Sequence, residues 1–202
     1  MFFPSALRRT LVSAALCATL PAFAAFAQDT AAPQDAAAPQ PAVGEPFEAA
    51  SYNDWQVMCS QVDEAGTTIC EMYQLLHDST GQPVAEISIA ALPLGAEFSA
   101  GATITTPLET FLPSGLGWRL GEAEEMRIEG FRVCTVLGCI VRMGFSADEV
   151  DAMKAGSTAT VMIAPFVAID QPVEITVSLS GFTAAYEDLQ TRLAEAAAAA
   201  RN

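Results

Sequence analysis

The chain has 202 residues, with 24 Asp and Glu against nine Lys and Arg, a formal charge of −15, five cysteines and one histidine. That length suits one domain, and so few basic side chains exclude nucleic acid as the main partner, because no cationic surface is available to displace phosphate counterions. Docking on an anionic membrane surface is disfavoured for the same reason, and a single histidine removes most acid–base and metal chemistry.

Arg8 and Arg9 close a short basic stretch, Thr10 to Leu20 are apolar, Pro21 breaks the run, and Ala25-Phe26-Ala27 offers the small residues a signal peptidase needs. Residues 1–27 are thus expected to be a secretory signal peptide, too short to span a bilayer permanently. Export to the periplasm follows, with release or outer-surface attachment as variants, and no transmembrane segment is expected after cleavage. The seven basic residues beyond the signal all lie at or after Arg119. This charge keeps an exported protein soluble by self-repulsion, and an envelope or extracellular protein with a basic surface would complement it.

Residues 28–50 carry two near-repeats of Ala-Ala-Pro-Gln and almost nothing to bury. They are expected to be a disordered tail, leaving a single domain over 51–193. Trp55, Val57 and Cys59 alternate on one face, Asp63-Glu64-Ala65-Gly66 is a turn, and Cys70, Met72 and Gln74 alternate again. Val84 to Ala91 follows and ends at Leu92-Pro93-Leu94-Gly95. Further strand-like runs lie around Glu97–Thr105, Met126–Cys134, Cys139–Phe145, Thr158–Phe166 and Val173–Leu179.

Such spacing predicts a mainly β fold, an antiparallel β-sandwich or partly open barrel of about seven or eight strands. Two helices are expected beside them. Ser146-Ala147-Asp148-Glu149 is a capping box that opens a short inserted helix, which Gly156 could close in left-handed geometry. The second begins near Thr183 and buries Tyr186, Leu189 and Leu193, with residues 194–202 fraying beyond it.

Four cysteines survive signal removal, and the hairpin selects their pairing. With the turn centred on Asp63 to Gly66, Cys59 falls opposite Cys70, within disulfide range for an antiparallel pair. Cys134 and Cys139 flank a four-residue return, so 59–70 and 134–139 are the expected bonds. A four-cysteine zinc site would need two close pairs, and a thioredoxin-like centre needs Cys-x-x-Cys. Neither spacing is present.

Catalytic candidates are few. His77 and Asp78 are adjacent at a strand end, where neighbouring residues point to opposite faces. Pro113-Ser114-Gly115-Leu116-Gly117 lacks the glycine two before the serine that a nucleophile elbow requires, and reads as a flexible surface loop. Glu122, Glu124 and Glu125 read as a solvated acidic loop, and no glycine-rich phosphate cradle is present. No catalytic, cofactor-binding or metal-ligating residue is therefore assigned.

Trp55-x-Val57-x-Cys59, Cys70 with Gln74, Leu92-Pro93-x-Gly95, Gly138-Cys139 after Cys134, Lys154-x-Gly156, and Ser178-Leu179-Ser180-Gly181-Phe182 with Ala185 occur in this order. The set resembles the invasion-associated locus B family of exported alphaproteobacterial proteins over about residues 51–190. The resemblance implies a periplasmic or outer-surface β-rich domain without catalytic residues, in a family named for a member that assists entry into host red blood cells. The expected function is an exported, disulfide-stabilised, non-enzymatic binding or interaction module. The competing reading is a periplasmic hydrolase or other enzyme centred on His77.

Overall fold

The structure, a computed structural model, describes residues 42–201; the expected signal peptide and most of the expected tail lie outside them. The chain forms two antiparallel sheets. The first contains β1 (Pro46–Tyr52), β2 (Trp55–Gln61), β3 (Thr68–His77), β4 (Pro83–Ala91), β5 (Ala100–Thr106), β8 (Phe131–Thr135) and β9 (Gly138–Phe145), in the order β1-β2-β3-β4-β5-β9-β8. The second contains β6 (Leu116–Leu120), β7 (Arg127–Glu129), β10 (Thr158–Ile163) and β11 (Val173–Ser178), in the order β11-β10-β6-β7. Neither sheet closes on itself, so the architecture is the sandwich rather than the barrel.

One continuous core joins the inward faces. It takes Val57, Met72, Ile87, Ile104 and Val141 from the larger sheet, and Leu116, Val161 and Ile175 from the smaller. Period-two alternation is what sends these residues inward and their neighbours to solvent. Helix α1 (Ala147–Ala155) has the expected capping box: the Ser146 hydroxyl accepts from the Glu149 N–H and the Glu149 carboxylate accepts from the Ser146 N–H. Helix α2 (Phe182–Ala199) buries Phe182, Ala185, Tyr186 and Leu189.

The structure corrects the sequence reading in several places. The expected tail does not extend to residue 50, because Pro46–Tyr52 pair with β2 as an edge strand. The 113–117 segment is not simply a flexible surface loop. Ser114 is exposed, but Gly117 lies in β6, where an added Cβ would run into the side chain of Met126. The run around 126–134 is two strands, β7 in the smaller sheet and β8 in the larger, with the chain crossing between sheets at Gly130. Gly156 is extended, because the backbone proceeds directly into β10. The Thr158–Phe166 run ends at Ile163, before Pro165. Finally, α2 continues through Ala199 instead of fraying after Leu193. Alanine is the strongest helix former, and this last stretch lies beside the Leu92-Pro93-Leu94 loop.

Candidate functional site

Part of the set that carried the family resemblance, Trp55, Gln74 and the Ser178–Phe182 segment, meets at one place, where the β1–β2 turn, β3 and the end of β11 come together. Trp55 Nε1 donates to the Ser178 carbonyl at 2.9 Å. Gln74 Nε2 donates to the carbonyls of Asp54 and Ser178, both at 3.1 Å, and Gln74 Oε1 accepts the Ser178 N–H at 2.9 Å. The Ser178 hydroxyl donates to Asp54 Oδ2 at 2.6 Å and accepts the Ser180 N–H at 3.2 Å.

Just beyond, Gly181 has φ +87°, and a Cβ there would collide with the Tyr52 carbonyl. Only glycine tolerates both constraints. Phe182 then enters the core, edge-on to Trp55 with centroids 5.7 Å apart and stacked on Tyr186 at 5.9 Å. This part of the signature is a structural lock between the two sheets and α2.

A groove of about 460 Å³ opens above the lock, lined by Asp54, Tyr73, Gln74, His77, Thr176 and Ser178 among others. His77 is exposed at its rim, and its imidazole makes no hydrogen bond or ion pair with the described residues. A serine–histidine–carboxylate relay needs the imidazole between the hydroxyl and the acid, whereas here the Asp54 carboxylate accepts the Ser178 hydroxyl's hydrogen bond directly. Asp78 is committed to its own turn. Its carboxylate accepts from the Thr80 hydroxyl at 2.6 Å and from the Thr80 and Gln82 N–H groups, contacts that hold its pKa below the ordinary value. Ser114 and Glu122, Glu124 and Glu125 are exposed and lie outside this groove. Among the described residues, no three His, Cys, Asp or Glu side chains gather to hold a metal.

Cys59 is bonded to Cys70, its register partner across β2 and β3, and Cys134 to Cys139 across the β8–β9 hairpin. The second bond anchors an exposed tip, Val136-Leu137, against the end of β5, where the Thr106 hydroxyl donates to the Cys139 carbonyl. Two more loops join this end. The segments around 107–112 and 164–169 are linked by a Thr110–Pro165 bridge, with the Phe111 N–H donating to Ala164 at 2.8 Å and the Phe166 N–H to Glu109 at 2.7 Å.

Together they expose Leu108, Val136, Leu137, Phe166, Val167 and Ile169, with Val167 and Val136 about as accessible as in an extended chain (89% and 94%). Exposed apolar side chains gathered on neighbouring loops mark interaction sites when they form one patch. The sequence held one signal for it. Phe166-Val167-Ala168-Ile169 is an apolar run fenced by Pro165 and Pro172, and a stretch so bounded has no central strand in which to hide.

The sequence profile of the Invasion associated locus B (IalB) protein family matches residues 55–190. Two Invasion protein B homologs of Brucella abortus, from strain 2308 and from biovar 1 strain 9-941, are each 30% identical over 144 residues, covering 69% of this chain and 78% of theirs. The crystal structure of invasion associated protein b from Bartonella henselae superposes with a TM-score of 0.62 at 23% identity, covering 72% of this chain and 97% of that one, which supports the fold. Matching profile, relatives and fold together, the chain belongs to the invasion-associated locus B family.

Proposed function

We propose that this protein is an exported, non-enzymatic interaction module of the cell envelope, periplasmic or at the outer surface, which docks a protein partner through its apolar end. The observation that carries this reading is the exposure of six apolar side chains on three loops beyond the end of β5, two of which, 107–112 and 164–169, are braced against each other. Glu109 and Asp170 border that surface, so a partner with an apolar centre and a basic rim complements it. Export is supported by the leader-like first 27 residues and by two disulfides, which persist in oxidising compartments. No described helix is long and apolar enough to cross a membrane. The relatives' names speak of invasion; contact with a host surface would be a special case of the same docking.

A second reading, an enzyme centred on His77, draws on the groove that His77 shares with Asp54 and Ser178. Photo-crosslinking in living cells separates the two. A photoreactive residue replacing Val167 should give one discrete adduct, and the same residue replacing His77 should give none. His77→Ala should leave that adduct unchanged. An adduct only from position 77, or loss of the Val167 adduct in His77→Ala, would favour the groove.

A further inference from the structure

We propose that a second groove, between the β4–β5 loop and strands β5, β8 and β9, binds a small molecule carrying a phosphate or carboxylate group, gripped by Arg132 and Arg142. Acids outnumber bases heavily in this chain, and four of the seven basic side chains beyond residue 42 sit in ion pairs: Arg119, Arg127, Lys154 and Arg192. Arg132 and Arg142 do not. Both are exposed, neither makes a hydrogen bond or ion pair with the described residues, and both line the same groove of about 560 Å³. Two guanidinium groups facing one space repel each other, and an anion between them turns that repulsion into attraction. Each can grip an oxyanion through a planar fork of N–H donors.

The backbone builds this arrangement rather than merely allowing it. Phe131 pairs with Val141 and Val133 with Ile140, so Arg132 is the extra residue of a β-bulge. A bulge breaks strict alternation and re-aims its side chain, which is how Arg132 reaches the groove that Arg142 faces from β9. Arg127 fixes one side, its guanidinium held by Glu129 at 2.7 Å, Glu149 at 3.1 Å and the Gly144 carbonyl at 3.1 Å.

The floor is a glycine pair, Gly101 opposite Gly144 across β5 and β9. Phe98 lies where a Cβ on Gly144 would be, and Leu92 is 3.8 Å from the Cβ position of Gly101. The ligand that fits has an anionic head for the arginines and a compact apolar body for Phe98 and Leu92. The chain's overall negative charge repels anions in general, so binding here requires the local site. The groove lies at the opposite end of β5 from the Pro107 loop, and the inference does not depend on the docking surface proposed above.

The test titrates ¹⁵N-labelled protein with phenyl phosphate in one arm and benzoate in the other, following the Gly101 and Gly144 amides. At least one probe should shift both amides saturably, and whichever binds more tightly names the head group. Arg132→Gln/Arg142→Gln should weaken binding at least roughly tenfold with an unchanged melting midpoint, and Arg142→Lys should weaken it less, because charge persists without the fork. Phe98→Ala should weaken phenyl phosphate more than inorganic phosphate. No saturable shift from either probe up to about 50 mM, far above the millimolar affinities of weak specific sites, would overturn the proposal. Equal binding by the double variant would also overturn it.

Discussion

Gln74→Leu removes the bridge between the sheets while nearly conserving volume. The wild-type side chain is only 7% exposed, donates to two carbonyls and accepts the Ser178 N–H, all within 3.1 Å. Leucine deletes three hydrogen bonds, each worth a net of about 0.5–1.5 kcal/mol. The Ser178 carbonyl keeps Trp55 Nε1, but the Ser178 N–H loses the Gln74 oxygen, and a buried orphan donor costs about 1–3 kcal/mol. Allowing for partial rescue by water and better apolar burial, the loss should be about 2–4 kcal/mol, or roughly 5–12 °C in the melting midpoint of a domain this size.

Calorimetry under non-oxidising but non-reducing conditions, with a urea titration to check that the denaturant slope is unchanged, measures it. Gln56→Leu is the control. Its amide bonds only the exposed Glu48 carboxylate, so stability should stay within about 0.5 kcal/mol of wild type. A Gln74→Leu midpoint within about 2 °C of wild type would refute the view that this residue locks the sheets together.

Phe182→Ala should cost about 3–5 kcal/mol by leaving a cavity beside Trp55 and Tyr186, whereas deleting residues 196–202, mostly exposed, should change the urea midpoint little; the reverse order would show that the helix end carries the core. Breaking either disulfide by paired Cys→Ser substitution should lower stability by about 2–3 kcal/mol, and limited reduction should open 134–139 first, since Cys134 is exposed while Cys59 is buried; mass-resolved alkylation reports the order. Burial, with the Glu86 hydrogen bond, pushes the Tyr73 phenol up to about 12, and burial, with Asp151 nearby, raises Tyr186. A raised folded pKa stabilises fully below the unfolded value near 10 and is lost as pH rises through the folded value. Stability should therefore fall above about pH 10, less steeply in Tyr73→Phe; a flat wild-type profile to pH 12 would contradict the assignment.

What was legible in the sequence was local. The Asp63–Gly66 turn sets the register that places Cys59 against Cys70, and Ser146 with Glu149 forms its capping box within one helical turn. Trp55, Gln74, Ser178, Gly181 and Phe182 were visible as a signature, but their meeting point depends on hydrogen bonds spanning more than 100 residues. β6 was hidden because Gly117 has no side chain to show alternation; it is a strand because it pairs with β10 on one side and β7 on the other, with Met126 and Met162 packed where a Gly117 side chain would stand. The crossing at Gly130 belongs to the packing of two sheets, which periodicity does not encode. The apolar end was legible only in part, as the Phe166–Ile169 run, because its residues come from three short loops and the joining of 107–112 to 164–169 rests on long-range backbone hydrogen bonds. The arginine groove was illegible for the same reason, since a bulge rather than simple alternation aims Arg132.

On the proposed function, the loops at 107–112, 135–138 and 164–169 dock the partner. Hydrogen exchange of the protein alone and in complex with the partner trapped by the Val167 crosslink tests it most directly. Protection should rise in segments 107–112, 135–138 and 164–169 and stay unchanged around His77 and Ser178. Protection confined to the groove lined by Asp54, Tyr73 and His77, with the three loops exchanging as in the free protein, would contradict it.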